Sequence, residues 1–135
     1  MARQSAPRET ERVRGNLNVL LVEDDADQRE MYKRRLERRG YRVRIVPDGD
    51  GAAREVRHSR PDVVVLDIAM PERDGISVLQ ELLDLDPSLR VVIHTAYPAY
   101  ADDFAAWAAD GFVQKSQDIR PLLRTINEAA YAVRA

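Results

Sequence analysis

Residues 63–75 read Val-Val-Val-Leu-Asp-Ile-Ala-Met-Pro-Glu-Arg-Asp-Gly. An uninterrupted apolar run, mostly β-branched, passes straight into an acid, and a proline and an Asp-Gly pair follow close behind. Short β-branched runs bounded by turn residues are strands, and a strand that is apolar at every position is covered on both faces. The segment therefore predicts an interior strand from Val63 to Asp67 that ends on a carboxylate. Asp74-Gly75 marks a turn into a helix.

Outward from this stretch the same alternation repeats in both directions. Short runs rich in Val, Ile and Leu predict strands from Asn18 to Glu23, Arg42 to Val46, Val91 to Thr95 and Gly111 to Gln114. The second of these alternates Tyr41, Val43 and Ile45 with arginines, as an edge strand does. Helical segments separate the strands, five in all. The first runs from about Ala26 to Arg39 and stops at Gly40, which suits a left-handed C-terminal position. Asp48-Gly49 precedes the second. In the last, Leu122, Leu123, Ile126, Ala129, Ala130 and Val133 recur at helical spacing, Pro121 fits the first turn, and Asp118 or Ser116 is expected to cap it. Right-handed crossovers leave an open sheet or an eight-stranded barrel for such repeated units, and 135 residues suffice only for the open sheet.

Composition narrows the function. The length fits one domain, expected over residues 16–135 behind a flexible polar tail at 1–15 that lacks the apolar centre of a secretory signal. With 21 basic and 23 acidic residues there is no electrostatic footprint for sequence-independent nucleic-acid binding, so no direct nucleic-acid partner is expected. The absence of cysteine excludes disulfides, thiolate zinc sites and cysteine nucleophiles, and two histidines, His58 and His94, cannot build a zinc site by themselves. No apolar run approaches the ~18 residues of a membrane span. Membrane insertion is not expected, and a cytoplasmic location is.

In open parallel sheets ligands sit beyond the carboxyl ends of the strands, where strand order reverses. The residues there are Glu23-Asp24-Asp25 after the first strand, Asp67 after the third, Thr95 at the fourth and Lys115 after the fifth. Taken singly, these are a helix cap, a turn former, a hydroxyl cap and a solvated charge. Together they occupy equivalent ends of four strands, which chance placement seldom produces. Carboxylates converging from two strands repel one another, and the ordinary remedy is a hard cation with oxygen ligands, such as Mg2+. Lys115 adds a point positive charge suited to a phosphoryl oxygen.

The segments LLVEDD (20–25), VVVLDIAMPERDG (63–75), VIHTA (92–96) and FVQKS (112–116) resemble, in that order, the motifs of the response-regulator receiver family. The resemblance runs from Asn18 to the C-terminus. It implies an α/β fold with a single doubly wound five-stranded parallel sheet, flavodoxin-like order 2-1-3-4-5, and helices on both faces. It also implies a signalling switch in which a sensor histidine kinase or a histidine phosphotransfer protein gives a phosphoryl group to Asp67 in a Mg2+-dependent reaction. Asp24, Asp67 and the backbone carbonyl of Ala69 would then hold Mg2+ directly, and Glu23 through water. Asp25 becomes a helix cap, Lys115 the phosphate-binding lysine, Thr95 the switching hydroxyl and Phe112 the aromatic that changes rotamer. Ala69 and Tyr97 would flank the path of the hydrolytic water. Such a protein is no turnover enzyme; it catalyses only its own phosphoryl acceptance and autodephosphorylation.

Two positions depart from the family. Ser116 stands where proline commonly follows the lysine, and Phe112 lacks the hydroxyl of a tyrosine. One alternative is a pseudo-receiver used only as an interaction module, against which the intact Asp24, Asp67, Thr95 and Lys115 argue. An aspartyl-phosphate phosphatase would need a second acid two residues after its nucleophile, where Ala69 stands. Lys115 is expected as an exposed lysine at a carboxylate rim, worth ~1 kcal/mol or less to folding. Lys33, Arg34, Arg35, Arg38 and Arg39 read as a solvated helix face, His94 as a packed or hydrogen-bonded residue, and Phe104 and Trp107 on the fourth helical segment as core or, where partly exposed, as a docking surface. The last helix ends near Ala135, so either a stand-alone receiver acting through binding or a piece of a larger protein is expected.

Overall fold

Residues 17–69, 74–97 and 108–133 are described in the computed structural model. The N-terminal tail, residues 70–73 of the long motif, and the fourth helical segment with Phe104 and Trp107 lie outside them. Within these bounds the order is β1 (Asn18–Val22), α1 (Ala26–Arg38), β2 (Arg42–Val46), α2 (Gly49–Ser59), β3 (Val63–Leu66), α3 (Gly75–Leu85), β4 (Val91–Thr95), β5 (Gly111–Gln114) and α4 (Arg120–Tyr131). All strand pairs are parallel, in the order β2-β1-β3-β4-β5. Strand order reverses between β1 and β3, and β2 lies at the edge, as its alternating arginines require.

Period-2 alternation assigns each strand residue to one of two apolar layers. Leu20, Val22, Val64, Leu66, Val91 and Ile93 meet Ala53 and Val56 of α2 and Val78, Leu79 and Leu82 of α3 on one side. Val19, Leu21, Val63, Val65, Val92 and Val113 meet Tyr32 and Leu36 of α1 and Leu122 and Ile126 of α4 on the other. The central strands β3 and β4 are buried at every position, which explains their unbroken apolar reading.

Aspartates start three helices. Asp25, Asp48 and Asp74 accept hydrogen bonds from Gln28 N, Gly51 N and Ile76 N respectively, filling orphan donors of the first turn. The last helix corrects the expected cap: Ile119 holds that position without a side-chain bond. Asp118 Oδ1 instead accepts from Arg120 N at 3.0 Å, while Ser116 Oγ accepts from Asp118 N at 3.1 Å. The two polar residues build the turn that leads into the helix. Gly40 follows α1 with φ of 99°, the left-handed conformation expected of it.

Candidate functional site

β1 and β3 each stop one residue short of the expected acid, at Val22 and Leu66. The ladder bonds nevertheless continue. Glu23 N donates to Val46 O and Asp67 N to Val22 O, both at 3.1 Å. Each acid is thus held by the last inter-strand bond while its side chain emerges at the rim. Lys115 is fixed in the same way, its N–H donating to Thr95 O at 2.7 Å.

The result is a cluster of opposite charges. Lys115 Nζ donates to Glu23 Oε1 at 2.6 Å, Gln28 Oε1 at 2.6 Å and Asp67 Oδ2 at 2.9 Å. Glu23 Oε2 accepts from Asp25 N at 3.2 Å, and Asp67 Oδ1 from Ala69 N at 2.9 Å. Asp24 is exposed, and one oxygen from each of Glu23, Asp24 and Asp67 lies within 4.8 Å of the others. Asp25 turns away to cap α1, as expected. The Arg29 guanidinium grips this loop from behind, donating to the backbone carbonyls of Glu23 at 2.9 Å and Asp24 at 3.3 Å.

One expectation needs correction. Lys115 is not an exposed rim charge: its side chain is only 12% exposed, and those of its partners Glu23 and Asp67 only 2% and 8%. A buried ammonium satisfied by acids cannot be weighed like a surface ion pair, because its removal strands a buried carboxylate. Burial pushes the Glu23 carboxyl above its usual range, although the Lys115 hydrogen bond and charge pull the other way. Burial alone would lower the Lys115 pKa, but its hydrogen bonds to Glu23 and Asp67, with their charges, override that and raise it.

Thr95 is fully buried, and its Oγ1 accepts from Tyr97 N at 3.3 Å. Phe112 is half-buried against the same layer as Ile93, its register partner, so Thr95 and Phe112 share a sheet face. Ala69 is half-buried and Tyr97 exposed. His94 points to the opposite face, where its ring meets that of Tyr32 edge-on at 4.8 Å. Desolvation holds His94 neutral, with a pKa lowered to about 4; the Lys115 charge adds to this and the Asp67 charge opposes it. Among the described residues no peptide bond is cis, the Lys115–Ser116 bond included.

Gly75 shows why the long motif closes on Asp-Gly. A Cβ there would lie 2.5 Å from the Ile68 Cα, so the start of α3 packs directly against the backbone beside Asp67. Sequence reasoning missed two residues of the site, Gln28 and Arg29. Both lie in the first turn of α1, three and four residues after Asp25, where a helix started by that cap brings side chains back toward the rim.

The model of the response regulator receiver domain matches residues 19–127. The chain belongs to this family. As a receiver domain of a two-component response regulator, it is 37% identical over 95 residues to the probable transcriptional regulatory protein TcrX of Mycobacterium tuberculosis, covering 70% of this chain and 41% of TcrX. The receiver spans about half the length of the curated relatives it matches. Its fold superposes on the response regulator TrrA of Thermotoga maritima in complex with Mg2+-BeF, with a TM-score of 0.79, 30% identity, and 84% of this chain and 98% of TrrA covered. TrrA in complex with the histidine kinase ThkA gives a TM-score of 0.77 at the same identity, with 84% of this chain and 97% of that chain covered. Among the described residues no helix is long and apolar enough to cross a membrane.

Proposed function

We propose that this receiver accepts a phosphoryl group on Asp67 from the phosphohistidine of a sensor histidine kinase or a histidine phosphotransfer protein, in a Mg2+-dependent reaction, and so changes its partner-binding face. The observation that carries this reading is the Asp67 carboxylate, which lies 2.9 Å from the Lys115 ammonium and within reach of two further acids. A carboxylate oxygen of Asp67 attacks phosphorus in line. The phosphorus–nitrogen bond breaks, its electron pair stays on the imidazole nitrogen, and the product is an acyl phosphate.

Glu23, Asp24 and Asp67 form a set of hard oxygen donors carrying more negative charge than Lys115 offsets, which fits a divalent cation. These residues, with the backbone carbonyl of Ala69, would hold Mg2+. When bound, it supplies positive charge against the oxygens of the transferring group. Lys115 shifts one of its hydrogen bonds from carboxylate to phosphoryl oxygen. The Thr95 hydroxyl then turns toward the new oxygens, and the Phe112 ring follows into the space on the face the two residues share. Residues 16–135 act as the receiver unit, in the cytoplasm, through protein partners rather than direct nucleic-acid contact. Its own chemistry is limited to phosphoryl acceptance and autodephosphorylation. The Mg2+-BeF and ThkA complexes of TrrA support both the metal and the kinase.

Acetyl phosphate and Mg2+ should add one phosphoryl group to the wild-type chain by intact mass and none to Asp67→Asn. Undiminished labelling of that variant would put the acceptor elsewhere.

A further inference from the structure

An ammonium has three N–H donors and no acceptor, so its partners can be counted. Lys115 uses all three, on Glu23, Gln28 and Asp67. Gln28 is the partner that belongs to neither the metal-binding set nor the transfer reaction. Its geometry is fixed independently: Gln28 N donates to Asp25 Oδ1 at 3.0 Å, anchoring the first turn of α1, and its side-chain oxygen faces Lys115 at 2.6 Å. A donor-only ammonium dictates that the amide presents oxygen, not nitrogen.

We infer that Gln28 is a positioning residue that holds the Lys115 ammonium in place through phosphoryl transfer while leaving its charge free for the incoming group. This rests on the reading of Asp67 as acceptor. Once Asp67 carries the phosphoryl group as an acyl phosphate, and with Glu23 among the residues that would hold Mg2+, two of the three ammonium partners would be altered. The Gln28 amide would not. It tethers Lys115 to α1 across the whole cycle, and the cation meets phosphorus already oriented instead of searching its rotamers.

Neutrality is as important as reach. A carboxylate at position 28 would keep the hydrogen bond but spend the ammonium charge on a third acid, and it would add negative charge beside the cluster. An apolar isostere would lose the bond and keep the volume. Gln28→Met and Gln28→Glu therefore separate positioning from packing, because they fail for different reasons.

The experiment uses the full chain with acetyl phosphate as donor, following the labelling rate by intact mass across a Mg2+ titration. The Lys115 ammonium resonance is observed separately by nitrogen-detected NMR without donor. Gln28→Met should label about tenfold more slowly at saturating Mg2+, with the half-saturating Mg2+ concentration unchanged. Its ammonium resonance, sharp in wild type, should broaden as the side chain becomes mobile. Gln28→Glu should also label slowly, but with half-saturation shifted to lower Mg2+ and the resonance kept sharp. Wild-type labelling rates in Gln28→Met, or a Mg2+ shift in that variant equal to the loss of rate, would overturn the inference while leaving Asp67 as acceptor. Failure of the wild-type chain to label at all would overturn both.

Discussion

The two ends of the sheet bury polar groups in contrasting ways. At the amino ends of the strands, Tyr41 donates its hydroxyl to Asn127 Oδ1 at 2.8 Å between α4 and the start of β2. Both partners are buried and neutral, and the tyrosine hydroxyl also lies 3.5 Å from Leu123 O. At the carboxyl ends, the buried carboxylates of Glu23 and Asp67 share one ammonium with the exposed Asp24 close to both acids, while Arg29 donates to backbone carbonyls. A neutral satisfied pair specifies packing and stops there. An excess of buried like charge raises the energy of the folded chain and makes the rim responsive to whatever brings positive charge or redistributes the negative. The scaffold end and the working end are thus distinguishable by charge balance alone.

The difference is tested most strongly by Lys115→Ala. It should slow labelling of Asp67 by about a hundredfold, since a fixed donor to the developing charge is gone. It should also destabilise the fold by about 3 kcal/mol, because Glu23 is left buried without its cation. Urea unfolding and the labelling rate, read on the same sample, measure both. A large kinetic loss with no change in stability would mean that Lys115 is the exposed charge the sequence suggested.

Acidification gives the next largest effect. His94 is packed neutral, between Tyr32 on one side and the Lys115 and Asp67 charges at the rim, with its pKa lowered to about 4 from an ordinary 6.5. The unfolded chain therefore binds the extra proton first, and stability that is present above pH 6.5 is lost as pH falls toward 4. Between neutral pH and pH 5 the loss should be about 2 kcal/mol by chemical denaturation. His94→Leu should remove most of that slope, and an unchanged slope would assign it to other groups.

The smallest effect belongs to the scaffold end. Tyr41→Phe leaves the Asn127 amide buried without the tyrosine hydroxyl and should cost about 1 kcal/mol with no change in labelling rate. A matching loss of labelling would erase the distinction between the two ends.

How much of this was legible in the sequence depends on how local the signal is. Residues 63–66 and 91–95 read as interior strands because every position is buried, and the acids after Val22 and Leu66 read as rim residues because a strand must end somewhere. His94 read as a packed residue for the same reason of alternation. Lys115 was misjudged because a residue type at a strand end says nothing of what surrounds it; the groups that meet its ammonium, Glu23, Gln28 and Asp67, are all distant in sequence, Gln28 by 87 residues. Gln28 itself carries no motif, and its role depends on the phase at which Asp25 starts α1. The cap of α4 was misassigned because Ser116 and Asp118 satisfy the turn before the helix, a choice that only the backbone reveals.

The proposed reaction places the phosphoryl group on a single carboxylate of the rim, that of Asp67. An acyl phosphate is reduced by borohydride to an alcohol, which converts an aspartate bearing it to homoserine and releases phosphate. After treatment with acetyl phosphate and Mg2+, then borohydride, peptide sequencing by mass should find homoserine at position 67 and aspartate at 24 and 25. Homoserine at another position, or none at 67 in a sample whose intact mass shows the phosphoryl group, would contradict it.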